Sequence, residues 1–388
     1  MTSQRLVVAY NFPPFNDGSA VTVAKRVVLN GSRIDVISAD LSAHRSVDPS
    51  LAELVAPYVN FHFVARTLVA FSRWESVAEF VELGSEVLAF RGHHYESVYS
   101  RSMWPHSHFL AALVKVRSFA QRWEAEFSDP ILWTVEGGQR SSPSLPLSNY
   151  RTEILEALPP KERRFLSSRR TLLEWAQFVP FFLADTLVFT NEQQCEVMIR
   201  DVPEEFRKKL TAKSVISPHP TLPAEYYAAD STASSDELRI GYFGNFYPNR
   251  GAGEFLEAWS SMPKEEASRI SLDVYSTTAA SVRRAAKALG LEERVQVKNP
   301  LPFRSFLRRS SDYSALLVTD ISTGPFPVAS PFLPSKVSDY RGSVTPIMAV
   351  TLPGSPLDKL AIRWKARSGD TAGIRRMLAK ALADTTRQ

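Results

Sequence analysis

One cysteine, Cys195, occurs among 388 residues. That excludes a disulfide within the chain and any metal site built from clustered thiolates. It agrees with a reducing, cytoplasmic setting. No apolar run reaches the eighteen or so residues that a membrane-spanning helix needs. Met1-Thr-Ser-Gln-Arg5 leads straight into an apolar run, so no signal peptide is expected. Zinc-finger spacing, basic-zipper heptads and an RNA-recognition signature are all missing, which makes nucleic acid the weakest candidate partner. The charge imbalance is modest, 46 Lys and Arg against 41 Asp and Glu, for a net +5 and a pI near 9.2. It points to an anionic partner such as a nucleotide or a membrane surface. A hydrophobic content of 44% and a charged content of 22% describe an ordinary globular chain. Its length suggests two domains.

What is present is a repeated alternation of short apolar runs with amphipathic stretches. Leu6–Tyr10 reads as a central strand, followed by Asn11-Phe-Pro-Pro-Phe-Asn-Asp-Gly18 and a helical pattern through Val21, Ala24, Val27 and Val28. This strand, Gly loop and helix form the unit that places a loop at the carboxyl edge of a sheet. The loop is not G-x-G-x-x-G, so a dinucleotide site is poorly supported. Further strands are predicted at 33–38, 58–65, 97–100, 184–191 and 213–219. Ala228 to Asp236 is small and polar, as a linker is. Leu238–Asn245, a second Gly-bearing loop to Gly251 and a helix to Trp259 repeat the opening unit. Strands near 272–276, 295–297, 313–319 and 345–351 complete a second alternation. The expected fold is α/β, with two Rossmann-like doubly wound parallel-sheet domains. The expected boundaries are 1–227 for the first domain, 228–237 for a linker and 238–388 for the second domain.

The most informative stretch is Pro331–Pro356. A Pro-rich turn leads into Ser335, expected to cap a short helix that Gly342 ends; Pro353-Gly354 closes the strand that follows. Lys336, Asp339 and Tyr340 lie three and four apart and so share one helical face. A cation, a carboxylate and a phenol there suit a phosphate and a sugar diol, or form a solvated face with an ordinary ion pair. His106 and His108 are two apart and do not face each other on a helix, so a metal pair is not expected. Lys161–Arg170 carries five basic residues against one acid; with Arg117, Phe119, Arg122 and Trp123 it is a candidate basic-aromatic surface for an anionic membrane face.

The motif Pro334-Ser-Lys-x-x-Asp-Tyr340, followed by Gly342 and the Pro346 strand, resembles the donor-binding segment of bacterial glycosyltransferases of family four, which have the GT-B fold. In that family a glutamate seven residues before the strand-opening proline binds the ribose hydroxyls of a nucleotide-sugar; Asp339 holds this place. A second glutamate of the family, facing the donor sugar, is replaced by Pro331. Phe127-Ser-Asp129-Pro130 is similar to an element found at the end of a strand in such transferases. Gly18 matches the family's first loop. In the second loop Asn245 replaces one diphosphate-binding arginine, while Arg250 stands where the family has a lysine.

The resemblance implies two domains facing a cleft, with the donor mostly on the second and the acceptor mostly on the first. In GT-B enzymes a basic tail helix, as after Asp370, often packs back on the first domain. The implied reaction moves a sugar from a nucleotide-sugar to a glycan, lipid-linked or small-molecule acceptor, with retention and without a metal or other cofactor. The absence of a D-x-D motif agrees with the latter. Asp129, Arg250 and Lys336 are the expected catalytic residues. Gly18, Gly244, Asn245, Arg250, Ser335, Lys336, Asp339 and Tyr340 are expected at the donor, and His106 and Glu136 near the acceptor. The protein would be cytoplasmic and could sit peripherally on the inner face of the membrane. Two other readings stay open: a nucleotide-sugar epimerase of the same fold, and a degenerate transferase serving as a binding subunit.

Overall fold

A computed structural model describes residues 4–228, 236–245, 252–321, 324, 326 and 328–386. The chain divides into two compact units, Met1–Pro218 and His219–Gln388. The expected linker at 228–237 therefore falls within the second unit, and most of it lies outside the described residues. The segment before it is bonded to that unit: Thr221 Oγ1 donates to Ser338 O at 2.8 Å and Ser311 Oγ to Tyr227 O at 2.9 Å.

In the first unit the elements are β1 (Arg5–Val8), α1 (Gly18–Asn30), β2 (Ile34–Ala39), α2 (Pro49–Val55), β3 (Val59–Ala65), α3 (Trp74–Arg91), β4 (Tyr95–Ser102), α4 (His106–Val116), β5 (Ala120–Phe127), α5 (Asn149–Glu156), α6 (Pro160–Ser167), α7 (Leu172–Leu183), β6 (Thr186–Phe189), α8 (Glu192–Ile199), α9 (Glu204–Ala212) and β7 (Ser214–Ile216). All strands pair in parallel, in the order β3-β2-β1-β4-β5-β6-β7. Parallel strands are covered on both faces, which is why Leu6–Val8 of β1 is apolar throughout. The buried Asp35 and Ser38 of β2 are bonded, Asp35 to Tyr95 OH and Arg91 and Ser38 to His62. The elements start and stop at recognisable signals. Asp17 caps α1 by accepting from Ser19 N, and Gly31 ends it in the left-handed region at φ 70. Thr171 and Glu174 form a capping box on α7. Trp123 and Trp175 are fully buried in this core.

The second unit contains β8 (Leu238–Phe243), α10 (Ala252–Ser260), α11 (Lys264–Ala267), β9 (Ile270–Tyr275), α12 (Ala280–Ala288), β10 (Val295–Lys298), α13 (Phe303–Arg309), β11 (Ala315–Thr319), α14 (Lys336–Tyr340), β12 (Ile347–Thr351), β13 (Trp364–Arg367) and α15 (Thr371–Thr385). Its sheet order is β10-β9-β8-β11-β12-β13, again parallel throughout. The edge strand β13 is short and was not predicted from the sequence. The tail helix α15 packs on α10, β13 and β8 of its own unit, and its buried Ile374, Met377, Leu378 and Leu382 belong to that unit's core.

In both sheets the order in which strands are added reverses next to the first strand, at β1/β4 and at β8/β11. Ligands of open α/β sheets bind beyond the carboxyl ends of the strands at such a switch point. The loops that leave β1, β4, β8 and β11 are therefore the places to look. Among the described residues no helix is long and apolar enough to cross a membrane.

Candidate functional site

In the second unit the switch point brings together the turn after β8 and the start of α14. Gly244 has φ +144, and a Cβ there would stand 2.9 Å from Lys336 Cε. The Lys336 stem thus lies across the bare face of the turn, a close approach that only glycine permits. The ammonium sits 5.0 Å from the centre of the Phe306 ring and 3.9 Å from Asp339 Oδ2. The floor is aromatic: Phe243 stacks on Tyr275 at 4.7 Å and lies 4.7 Å from Phe306. Lys336 is half-exposed, whereas Asp339 is 3% exposed and Tyr340 fully buried.

These contacts revise several expectations. Ser335 does not cap α14: its backbone is already helical and its side chain makes no capping bond. Gly342 is not a left-handed terminator, because its backbone has no positive φ. Glycine is required there since a Cβ would overlap the Tyr227 ring. The Tyr340 hydroxyl accepts from Phe243 N at 3.0 Å, so it fixes α14 against the end of β8. The Gly244 amide is committed too, donating to Tyr275 O at 3.0 Å. The Asn245 carboxamide oxygen accepts from Ser276 Oγ, Thr277 N and Thr277 Oγ1 at 3.0–3.3 Å, tying the loop after β8 to the loop after β9. Asp339 lies near enough to Tyr227 for its charge to add to burial in raising that phenol's pKa. Arg250 lies outside the described residues.

Sequence reasoning missed Asp320, an acid directly after the apolar run of β11. It is 6% exposed and accepts from Leu352 N at 2.8 Å and Ser355 Oγ at 2.5 Å, which anchors the turn after β12. It also missed Tyr227, whose contact with Gly342 leaves no local pattern.

In the first unit Gly18 opens α1 and is exposed, with nothing within 4 Å of a would-be Cβ. The packing described here does not demand glycine at this position. Asp129 follows the carboxyl end of β5 and is half-buried. Burial raises its pKa, against the guanidiniums of Arg101 and Arg140. Beside it, Arg101 bonds Ser128 Oγ at 2.8 Å and pairs with the buried Glu126, which also accepts from Arg26 Nε at 3.1 Å and Tyr99 OH at 2.7 Å. Arg26 reaches on to Ser217 O at 3.0 Å.

His106 is fully buried at the start of α4, stacked on Tyr10 at 3.9 Å, with Nε2 2.9 Å from Ser76 Oγ. Burial holds its pKa near 3, so it is a neutral ring packed in the core rather than an exposed acceptor contact. Glu136 is exposed in a turn closed by Thr134 N to Gly138 O at 2.8 Å and Gly137 N to Thr134 O at 3.1 Å. Hydrogen bonds from its own backbone and Thr134 hold its carboxyl below the usual value.

Part of the expected membrane surface is paired within the unit, while Arg122, Arg163, Arg164 and Arg170 are exposed. Lys161 pairs with Glu205 at 2.9 Å, Arg169 lies over the Phe165 ring, and Arg117 holds Glu153. Trp123 is a core residue whose Nε1 donates to Ser100 Oγ. Among the described residues no three His, Cys, Asp or Glu side chains gather as a metal site.

The architecture is that of GT-B enzymes. The catalytic domain of starch synthase IV from Arabidopsis thaliana, solved with ADP and acarbose, superimposes with a TM-score of 0.59 at 10% identity, over 100% of this chain and 93% of that one. Sucrose-phosphate synthase from Thermosynechococcus elongatus gives 0.56 at 13% identity, over 99% and 94%. A UDP-N-acetylglucosamine 2-epimerase gives 0.52 at 12% identity, over 99% and 90%. No family model and no curated sequence matches the chain. Identities this low establish the shared fold alone.

Proposed function

We propose that this protein is a glycosyltransferase that takes a sugar from a nucleotide-sugar. The observation that carries the reading is the Lys336 side chain laid across the Gly244 turn at the switch point of the second sheet. It sets a cation above bare backbone where a donor diphosphate would approach, and the Pro334–Tyr340 motif falls on the same element. As the bond between sugar and diphosphate breaks, charge builds on the leaving phosphate. A positioned ammonium meets that charge without reorganising, the kind of electrostatic effect that usually contributes most to catalysis. Arg250 would add a second cation.

Asp339, buried 3.9 Å from Lys336, orients the ammonium and is the carboxylate proposed for the ribose hydroxyls. Asp129 is proposed as a polar group toward the acceptor, which is a glycan, a lipid-linked sugar or a small molecule. Retention without a metal or other cofactor is carried over from the family resemblance. The epimerase reading is kept because an enzyme of that activity shares the fold at equal coverage.

Release of nucleoside diphosphate from UDP-, GDP- and ADP-sugars tests the choice. Release that depends on an added acceptor supports transfer, and conversion without acceptor supports epimerisation. Nucleotide binding without turnover would leave a binding subunit. An absence of nucleotide binding would remove the whole reading.

A further inference from the structure

β13 is the edge strand of the second sheet, and α15 packs beside it. A hollow of about 720 Å³ opens along β13 and the first half of α15, within the range of small-molecule sites. Its wall carries five basic side chains, Arg363, Lys365, Arg367, Arg376 and Lys380, against two acidic ones, Asp358 and Asp370. Lys365 and Arg367 alternate with the buried Trp364 and Ala366 along β13 and so share its exposed side, with Arg363 just before the strand. Arg376 and Lys380 are four apart on one face of α15. The neighbours Trp364, Ala366, Met377 and Leu378 are locked in the core, so the fold holds both rows in place.

Both acids are already engaged. Asp358 accepts from Gly354 N at 2.9 Å and Thr351 Oγ1 at 3.0 Å and lies 3.8 Å from Lys365 Nζ; the Gly354 bond first, then Thr351, outweigh burial and hold its pKa down. Asp370 caps α15 through Gly373 N at 2.8 Å and lies 3.6 Å from Arg376. Arg363 pairs at 3.2 Å with Asp384, outside the cavity wall. Arg367 and Lys380 act on Asp358 and Asp384 only at longer range, with no carboxylate at pairing distance among the described residues.

An excess of cations in a polar hollow selects an anion, and three guanidinium forks match phosphate oxygens with paired N–H donors. We propose that this cavity is a second anion site, separate from the Gly244–Lys336 turn, that takes a ligand bearing a phosphate group. Ser368 Oγ and Gly369 N, directly after Arg367, both donate to Glu254 in the first turn of α10 at 2.7 Å.

The test is calorimetric titration of the full chain with inorganic pyrophosphate at low salt. A sedimentation arm uses phosphatidylglycerol vesicles. The paired variant Arg367→Gln/Lys380→Gln is expected to lose at least tenfold in affinity with little change in melting temperature, since both side chains are exposed and their interactions with Asp358 and Asp384 are longer than an ion pair. Lys336→Met is expected to keep this binding. If the pair of substitutions releases the protein from vesicles and pyrophosphate does not bind, the phosphate is that of a lipid headgroup. Lys380→Glu alone, on an exposed helix face, repeats the test should the pair fold poorly. The proposal is overturned if the paired variant binds both probes like wild type, if wild type binds neither, or if only Lys336→Met abolishes binding.

Discussion

Lys336→Met separates a ligand-binding lysine from a merely structural one. Methionine keeps an unbranched stem of similar length, so the packing across Gly244 and over Phe306 persists. Only the ammonium is lost. Its interaction with Asp339 is long, at 3.9 Å, and the lysine is 30% exposed, so solvent screens it; such a pair is worth about 0–1 kcal/mol. The cation over Phe306 adds about 0.5–1 kcal/mol. Stability should therefore fall by about 1 kcal/mol, or about 2–4 °C in melting temperature. A charge-assisted bond to a diphosphate is worth about 1.5–3 kcal/mol, so affinity should fall about ten- to 150-fold. Calorimetric titration with UDP, GDP and ADP reads the second quantity and thermal melting the first. A variant that melts lower yet binds the best of these nucleotides within twofold of wild type would refute the assignment.

Asp339→Asn should keep the fold and lower affinity for the same nucleotide by about 1.5–3 kcal/mol if the carboxylate takes the ribose hydroxyls; unchanged titration would assign it to orienting Lys336 alone. Arg250→Ala is expected to cost a similar amount for nucleoside diphosphate and little for the free nucleoside, and equal losses for both would argue against a phosphate contact. Gly342→Ala should destabilise the protein by about 1–3 kcal/mol through overlap with Tyr227, and Tyr227→Leu should relieve part of that loss in urea denaturation. His106 and His108, both neutral with pKa values near 3, gain protons on unfolding below about pH 6.5. Their contribution to stability is complete above that pH and falls as the pH drops toward 3, by about 2 kcal/mol each at pH 5. Urea denaturation at pH 7 and pH 5 measures this, and histidine NMR should show both rings neutral at pH 5.

The period of the apolar residues determined most of the fold. Alternating buried runs and amphipathic stretches are local signals, and they marked two strand–loop–helix halves. They also marked Gly244 at the end of β8, whereas Asp129, just past β5, was marked only by the likeness of Phe127–Pro130 to a family element. Chain-local chemistry set the ends of elements as well, with Asp17 and the Thr171–Glu174 pair starting helices. The order of strands was not legible, because β1 meets β4 and β8 meets β11 only after long crossovers. That order is what puts α14 beside the Gly244 turn.

Roles that depend on distant partners were equally hidden. Trp123 looks like a surface aromatic among arginines until Ser100 and the core close around it. His106 reads as a candidate acceptor contact until burial and the stacked Tyr10 enclose it. Gly342 reads as a helix stop until Tyr227, over a hundred residues earlier, fills the space beside it. Propensity and periodicity act within a few residues and are written in the sequence, whereas burial, pairing and steric exclusion act between residues that only the folded chain brings together.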